Sequence, residues 1–131
     1  MEKVFLKSFR LWAGKIMFLL FFLVLGSCQP EKQVNVVYEA SQAVSSFKLS
    51  YLDEAGSLQS VTVNPESQED VWRYSMVVEE GDMVYVSGKY NDPNSSLRLA
   101  VKINGKIYKE AFSKYDTVKY LIVSGVVPYS D

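Results

Sequence analysis

The sequence predicts an all-β domain, an immunoglobulin-like β-sandwich of seven to eight strands, that follows an apolar N-terminal helix. Apolar and polar residues alternate from about position 34 onward, which is the period of a half-buried strand. Turn-forming residues recur at the spacing of roughly 8–12 residues that all-β sandwiches show. A small up-and-down barrel of the lipocalin type is the alternative, and we rank it second because it usually needs a longer chain.

The first three strands are predicted over residues 34–40, 47–51 and 58–63. Ser41-Gln42 interrupts the pattern after the first strand. Asp53-Glu54-Ala55-Gly56 supplies a turn, with glycine at the position that tolerates positive φ. We therefore expect the second and third strands to form a hairpin.

The fourth predicted strand, residues 70–78, places Trp72, Tyr74 and Met76 on one face. We expect Trp72 to anchor the core, because aromatic side chains bury the largest apolar area. The alternative is an exposed aromatic residue that binds a ligand, but exposed large apolar groups are the minority case.

The remaining strands are predicted over residues 83–88, 97–103, 107–112 and 117–126. Asn104-Gly105, between the sixth and seventh strands, is the strongest two-residue hairpin signal in the chain. We expect the eight strands to pair largely as hairpins.

The N-terminal segment has a different character from the rest of the chain. Basic residues precede an unbroken apolar run over residues 16–25. As a helix at ~1.5 Å per residue this run spans about 15 Å, half of the ~30 Å hydrocarbon core of a bilayer. It closes with Leu25-Gly26-Ser27-Cys28. Leucine, two small residues and a cysteine in this order resemble the lipobox of bacterial lipoprotein signal peptides.

This resemblance implies that Cys28 carries the lipid and becomes the mature N-terminus, and that the signal peptidase recognises Leu25, Gly26 and Ser27. The chain then divides into a signal peptide over residues 1–27, a tether over 28–33 and a β-sandwich domain over 34–131. The domain would lie outside the cytoplasm, anchored to a bacterial membrane, with the outer membrane favoured over the inner one.

Two other interpretations of the leader stay open. An uncleaved signal anchor would place Lys15 within the membrane at a cost of several kcal/mol. An ordinary cleaved signal peptide would leave the domain without a lipid.

Composition excludes several classes of function. The region after residue 27 carries ten Lys and Arg against fourteen Asp and Glu, a net charge of −4. It has no basic block that could neutralise a row of phosphates, so nucleic acid is not an expected partner. The chain has no histidine, the commonest general base at neutral pH. We therefore expect no enzymatic activity and no cofactor.

Acidic residues cluster in residues 66–70 and 79–82. A calcium site needs about six or more oxygen ligands, usually in a loop of recognisable pattern. Neither cluster has that pattern, so we interpret both as solvated turns and expect no metal.

All nine tyrosines follow the leader. Most are expected to be sheet residues, because tyrosine is enriched in strands. Tyrosine is also enriched in recognition surfaces, and the candidates for a partner surface are Tyr115, Tyr120 and Tyr129.

The order of several segments resembles the soluble domain of the small mycobacterial membrane protein (MmpS-like) family. The segments that carry the resemblance are Val36-Val37-Tyr38-Glu39, Phe47-Lys48-Leu49-Ser50-Tyr51, Asp53 to Gly56, Val71-Trp72, Gly81 and Val101 to Ile107. The resemblance implies a β-sandwich exposed outside the inner membrane that acts as an accessory to a large export transporter.

Together these observations predict a monomeric, lipid-anchored, non-enzymatic interaction domain of the cell envelope. Its expected partner is a membrane export complex. The alternatives are a surface adhesion module that binds another surface protein, and a small β-barrel that carries an apolar ligand.

Overall fold

A computed structural model describes residues 32–114 and 119–130. Within these ranges eight strands form two four-stranded antiparallel sheets, which confirms the predicted all-β sandwich. The strands are β1 (Gln33–Ser41), β2 (Phe47–Leu52), β3 (Leu58–Val63), β4 (Val71–Glu79), β5 (Met83–Tyr90), β6 (Ser96–Ile103), β7 (Lys106–Lys114) and β8 (Tyr120–Val126). Sheet A has the order β4-β1-β6-β7, and sheet B has the order β3-β2-β5-β8.

The predicted signal helix, the lipobox residues Leu25, Gly26, Ser27 and Cys28, and also Tyr115 lie outside the described residues. Within the described ranges, no helix is long and apolar enough to cross a membrane.

The core lies between the two sheets because alternate residues of each strand point inward. Tyr38 of β1 and Leu49 of β2 are fully buried. Both side chains belong to central strands, where neighbours on either side exclude water. The inward set also includes Val36, Phe47, Val84, Val86, Leu97, Leu99, Val101 and Val123.

Both hairpins predicted from turn chemistry are confirmed. Asn104 and Gly105 have φ angles of 51° and 82°, the positive pair that a tight two-residue turn requires. Gly56, with a φ of 78°, closes the turn between β2 and β3.

The expectation that the strands pair largely as hairpins is wrong. Only the connections from β2 to β3 and from β6 to β7 join neighbours within one sheet, whereas the other five cross between sheets. The resulting β1–β4 and β2–β5 pairs interlock the two sheets, as in immunoglobulin-like folds. Turn residues in the sequence report where the chain reverses but not which strand it then meets.

Trp72 packs against the core as predicted, but it is only partly buried and does not anchor the core. The physical reason is its position on β4, an edge strand of sheet A. Tyr38 occupies the centre instead, and its ring stacks on that of Tyr74 at a centroid distance of 6.2 Å. Tyr51 bridges to Trp72, with ring centroids 5.2 Å apart.

The edge of β8 is covered by side chains of β7. The Tyr108 hydroxyl donates to the Val126 carbonyl at 3.0 Å, and Lys109 Nζ donates to the Ser124 carbonyl at 3.1 Å. Gly125 allows this approach, since a Cβ there would lie 2.8 Å from the Tyr108 oxygen. Two edge carbonyls that could template pairing with another chain are thereby occupied.

Candidate binding face of sheet B

The solvent-facing side of sheet B, called here face B, is the candidate functional site. Strand pairing places its side chains in rows, such as Thr62, Lys48, Lys89 and Tyr120 across the four strands. The full set is Lys48, Ser50, Leu52, Leu58, Ser60, Thr62, Met83, Tyr85, Ser87, Lys89, Tyr120, Ile122, Ser124 and Val126. Face B therefore contains hydroxyls, apolar groups and two lysines, and none of these strand residues is acidic.

Apolar side chains run along β8 and continue onto the start of β5. Tyr120, Ile122 and Val126 are 47%, 49% and 51% exposed, and Met83, which pairs with Val126, is 64% exposed. Single exposed apolar residues are ordinary on protein surfaces. Neighbouring ones on adjacent strands form a patch, and patches of this kind mark interaction sites.

Three hydroxyl groups meet near the middle of face B. Ser87 is buried although it lies on the outer side of the sheet, and its hydroxyl lies near the side chains of Tyr85 and Tyr120. Hydrogen bonds from Ser87 and Tyr120 lower the pKa of Tyr85. The hydrogen bond to Tyr85 raises the pKa of Tyr120.

A shallow depression of about 210 Å³ lies at one end of face B. Lys48 and Lys89 line it and stand directly opposite each other on β2 and β5. Thr62 and Asn91 contribute polar groups to its wall. Among the described residues, neither lysine has a carboxylate within 4.0 Å.

The two acidic turns over residues 66–70 and 79–82 were predicted to be solvated. In each turn an aspartate accepts hydrogen bonds from backbone amides of the same segment. One carboxylate oxygen of Asp70 accepts from the Glu66 and Ser67 amides, at 2.7 and 3.3 Å, and these bonds lower the pKa of Asp70. Asp82 accepts from the Glu79 amide at 2.9 Å. In the part of the chain that the structure describes, no group of three or more acidic, histidine or cysteine side chains could hold a metal.

The structure separates the tyrosines predicted to form a partner surface. Tyr120 lies on face B, next to Lys89. Tyr129 is 72% exposed, and its ring lies over Gly81. Gly81 precedes the start of β5, whereas Lys89 lies near the end of that strand. At ~3.3 Å per strand residue the two sites are roughly 20 Å apart along the sheet.

Sequence reasoning missed most of face B. Ile122 carried a signal that could have revealed it, because β8 has apolar residues on both sides: Leu121 and Val123 point inward while Ile122 points outward. Nothing in the sequence indicated that Lys48 lies directly opposite Lys89, because this placement depends on the pairing of β2 with β5.

No protein-family model matches this chain, and no curated protein is significantly similar to it.

Proposed function

We propose that this chain is a lipid-anchored, non-enzymatic interaction domain of the bacterial cell envelope that binds its partner through face B. The observation that carries the proposal is the composition of that face. Apolar and hydroxyl side chains are contiguous there, with two lysines and no acidic strand residue, in a region of net charge −4. Interfaces are likewise rich in tyrosine and poor in acidic residues.

The anchor is proposed from the lipobox. Each buried methylene of a lipid contributes ~0.8 kcal/mol, and more than one acyl chain is needed for stable attachment. Bacterial lipoproteins meet that need with a diacylglycerol on the cysteine. β1 begins at Gln33, so the tether after Cys28 reaches at most about 18 Å when extended.

Among the partners considered, an envelope export complex or another surface protein fits face B better than an enclosed apolar ligand. The space between the two sheets is filled by buried side chains such as Tyr38, Leu49 and Leu99. A carrier would need that space for its ligand.

The anchor is tested by replacing the cysteine. We expect a Cys28→Ser precursor to incorporate no labelled fatty acid and to leave the membrane fraction, because serine cannot form the thioether. Ser27→Ala keeps a small residue before the cysteine and serves as the control that should stay lipidated. If the Cys28→Ser protein remains in the membrane and needs detergent for extraction, the leader is a signal anchor instead.

The binding face is tested by crosslinking in cells. A photoreactive residue at Ile122 on face B is expected to capture an envelope partner in a defined crosslinked band. Val77 is the matched control, because it is a 41% exposed aliphatic residue on the outer side of sheet A. Equal capture from both positions, or capture from Val77 alone, would overturn the assignment of face B.

A further inference from the structure

We propose that the depression between Lys48 and Lys89 binds an anionic saccharide, with the carboxylate or phosphate of the sugar held between the two ammonium groups. This inference rests on the proposed role of face B as a binding surface and concerns the depression at one end of that face.

The first argument is electrostatic. Like charges directly opposite each other on neighbouring strands destabilise a sheet, and the side chains of Lys48 and Lys89 start only about 5 Å apart. Acidic residues outnumber basic ones in the mature region, yet neither lysine has a carboxylate partner among the described residues. An external anion would relieve this repulsion.

A third cation lies beside the same depression. Lys119 Nζ donates to the Asn91 carbonyl at 2.8 Å, and Asn91 lines the depression. Asp92, which follows Asn91, already accepts the Asn94 amide at 2.9 Å. The local field at this end of face B therefore favours a negatively charged ligand.

The second argument is shape and polarity. The volume of about 210 Å³ is below the ~300–1,000 Å³ of sites for drug-sized ligands, so it suits one ring-sized group. Thr62, Ser46 and Asn91 line it and can exchange hydrogen bonds with sugar hydroxyls. Tyr120 stands next to Lys89 and is half exposed, so its ring can pack on the apolar side of a sugar.

The depression lies at the end of the sandwich opposite the first residue of β1, Gln33. β1 runs from Gln33 to Ser41, and the loop after it leads directly into Phe47 and Lys48. This strand length places the lysines roughly 30 Å beyond the start of the domain.

The test is calorimetric titration of the full chain, extracted in nonionic detergent, at low ionic strength. The probes are trigalacturonate, glucose 6-phosphate, inorganic phosphate and neutral maltotriose. We expect an anionic sugar to bind about tenfold more tightly than either inorganic phosphate or maltotriose, because only it engages both the lysines and the ring. Lys48→Gln and Lys89→Gln should each weaken this binding about tenfold, and Tyr120→Ser should weaken it for sugars but not for phosphate.

Lys106→Gln is the matched control, because Lys106 is an exposed lysine at the start of β7 in sheet A. Binding of inorganic phosphate as tight as that of the sugars would show a plain anion site and overturn the saccharide assignment. Equal losses from Lys48→Gln and Lys106→Gln would do the same. If no sugar binds while Ile122 still captures a partner in cells, only the saccharide inference fails; if neither occurs, the proposed function fails with it.

Discussion

The two outward sides of this sandwich both carry exposed apolar residues but differ in how their charged residues are paired. On sheet A, Glu39 is buried between Lys102, 2.6 Å away, and Arg73, 3.9 Å away. Arg98 pairs with Glu110 on the same side. On face B, by contrast, no acidic strand residue neutralises the two lysines.

The distribution of apolar residues also differs. Those on the outer side of sheet A lie on its two edge strands, Val71 and Val77 on β4 and Ile107 and Phe112 on β7. The charged side chains of β1 and β6 separate them. On face B, Tyr120 and Ile122 are neighbours along β8, and Val126 pairs with Met83 beyond Ser124. On sheet A the buried carboxylate is thus paired internally, whereas on face B the two lysines have no carboxylate partner among the described residues.

The largest expected difference in stability between variants of the two faces comes from replacing Glu39. Glu39→Ala removes the carboxylate between Lys102 and Arg73 and should destabilise the domain by about 2 kcal/mol, less than for a fully buried pair because both cations are partly exposed. Ser50→Ala, at a central position of face B, should cost less than about 0.5 kcal/mol. Urea denaturation of both variants measures the difference. An equal loss of unfolding free energy in both variants would show that the side chains on sheet A are no more strongly paired with each other than those on face B.

Tyr38 joins the two sheets and should give a smaller, pH-dependent effect. Its hydroxyl accepts the Tyr85 amide at 3.2 Å, so Tyr38→Phe should cost about 1 kcal/mol at pH 7. Burial raises the pKa of Tyr38. The stability that this shift contributes is present below the usual tyrosine pKa of about 10 and is lost as pH rises through the higher folded value.

Urea denaturation between pH 7 and 11 should therefore show the wild-type advantage over Tyr38→Phe narrowing only above about pH 10. Tyr129→Phe, at a 72% exposed ring, is the control and should match the wild type at pH 7. A gap between wild type and Tyr38→Phe that stays constant through pH 11 would contradict the burial of an un-ionised phenol.

These comparisons also show what the sequence could and could not predict. Alternation correctly assigned the inward side of β4, because a one-residue slip would bury Arg73. It could not pair the strands, so it could not place Lys48 opposite Lys89 or separate Tyr120 from Tyr129. The binding face depends on contacts between strands distant in sequence, which local patterns do not encode.

The smallest expected effect tests the repulsion on face B. Lys48→Gln should stabilise the domain by a few tenths of a kcal/mol at low salt, because it removes a like-charge neighbour of Lys89. The gain should shrink at high salt as screening weakens the repulsion. Thermal unfolding at two ionic strengths measures it, with Lys106→Gln as the reference. A loss of stability at low salt would show that the lysines are not in conflict.

The most direct test of the central claim is cysteine accessibility in cells. Ser124 on face B and Ser75 on the outer side of sheet A are both exposed serines on edge strands. If Cys28 is lipidated as proposed, an introduced cysteine is the only free thiol. We predict that N-ethylmaleimide modifies Ser124→Cys slowly in intact cells but rapidly in the purified protein, and modifies Ser75→Cys rapidly in both. Rapid modification of both variants in cells, or protection of Ser75→Cys instead, would contradict the assignment of face B as the binding surface.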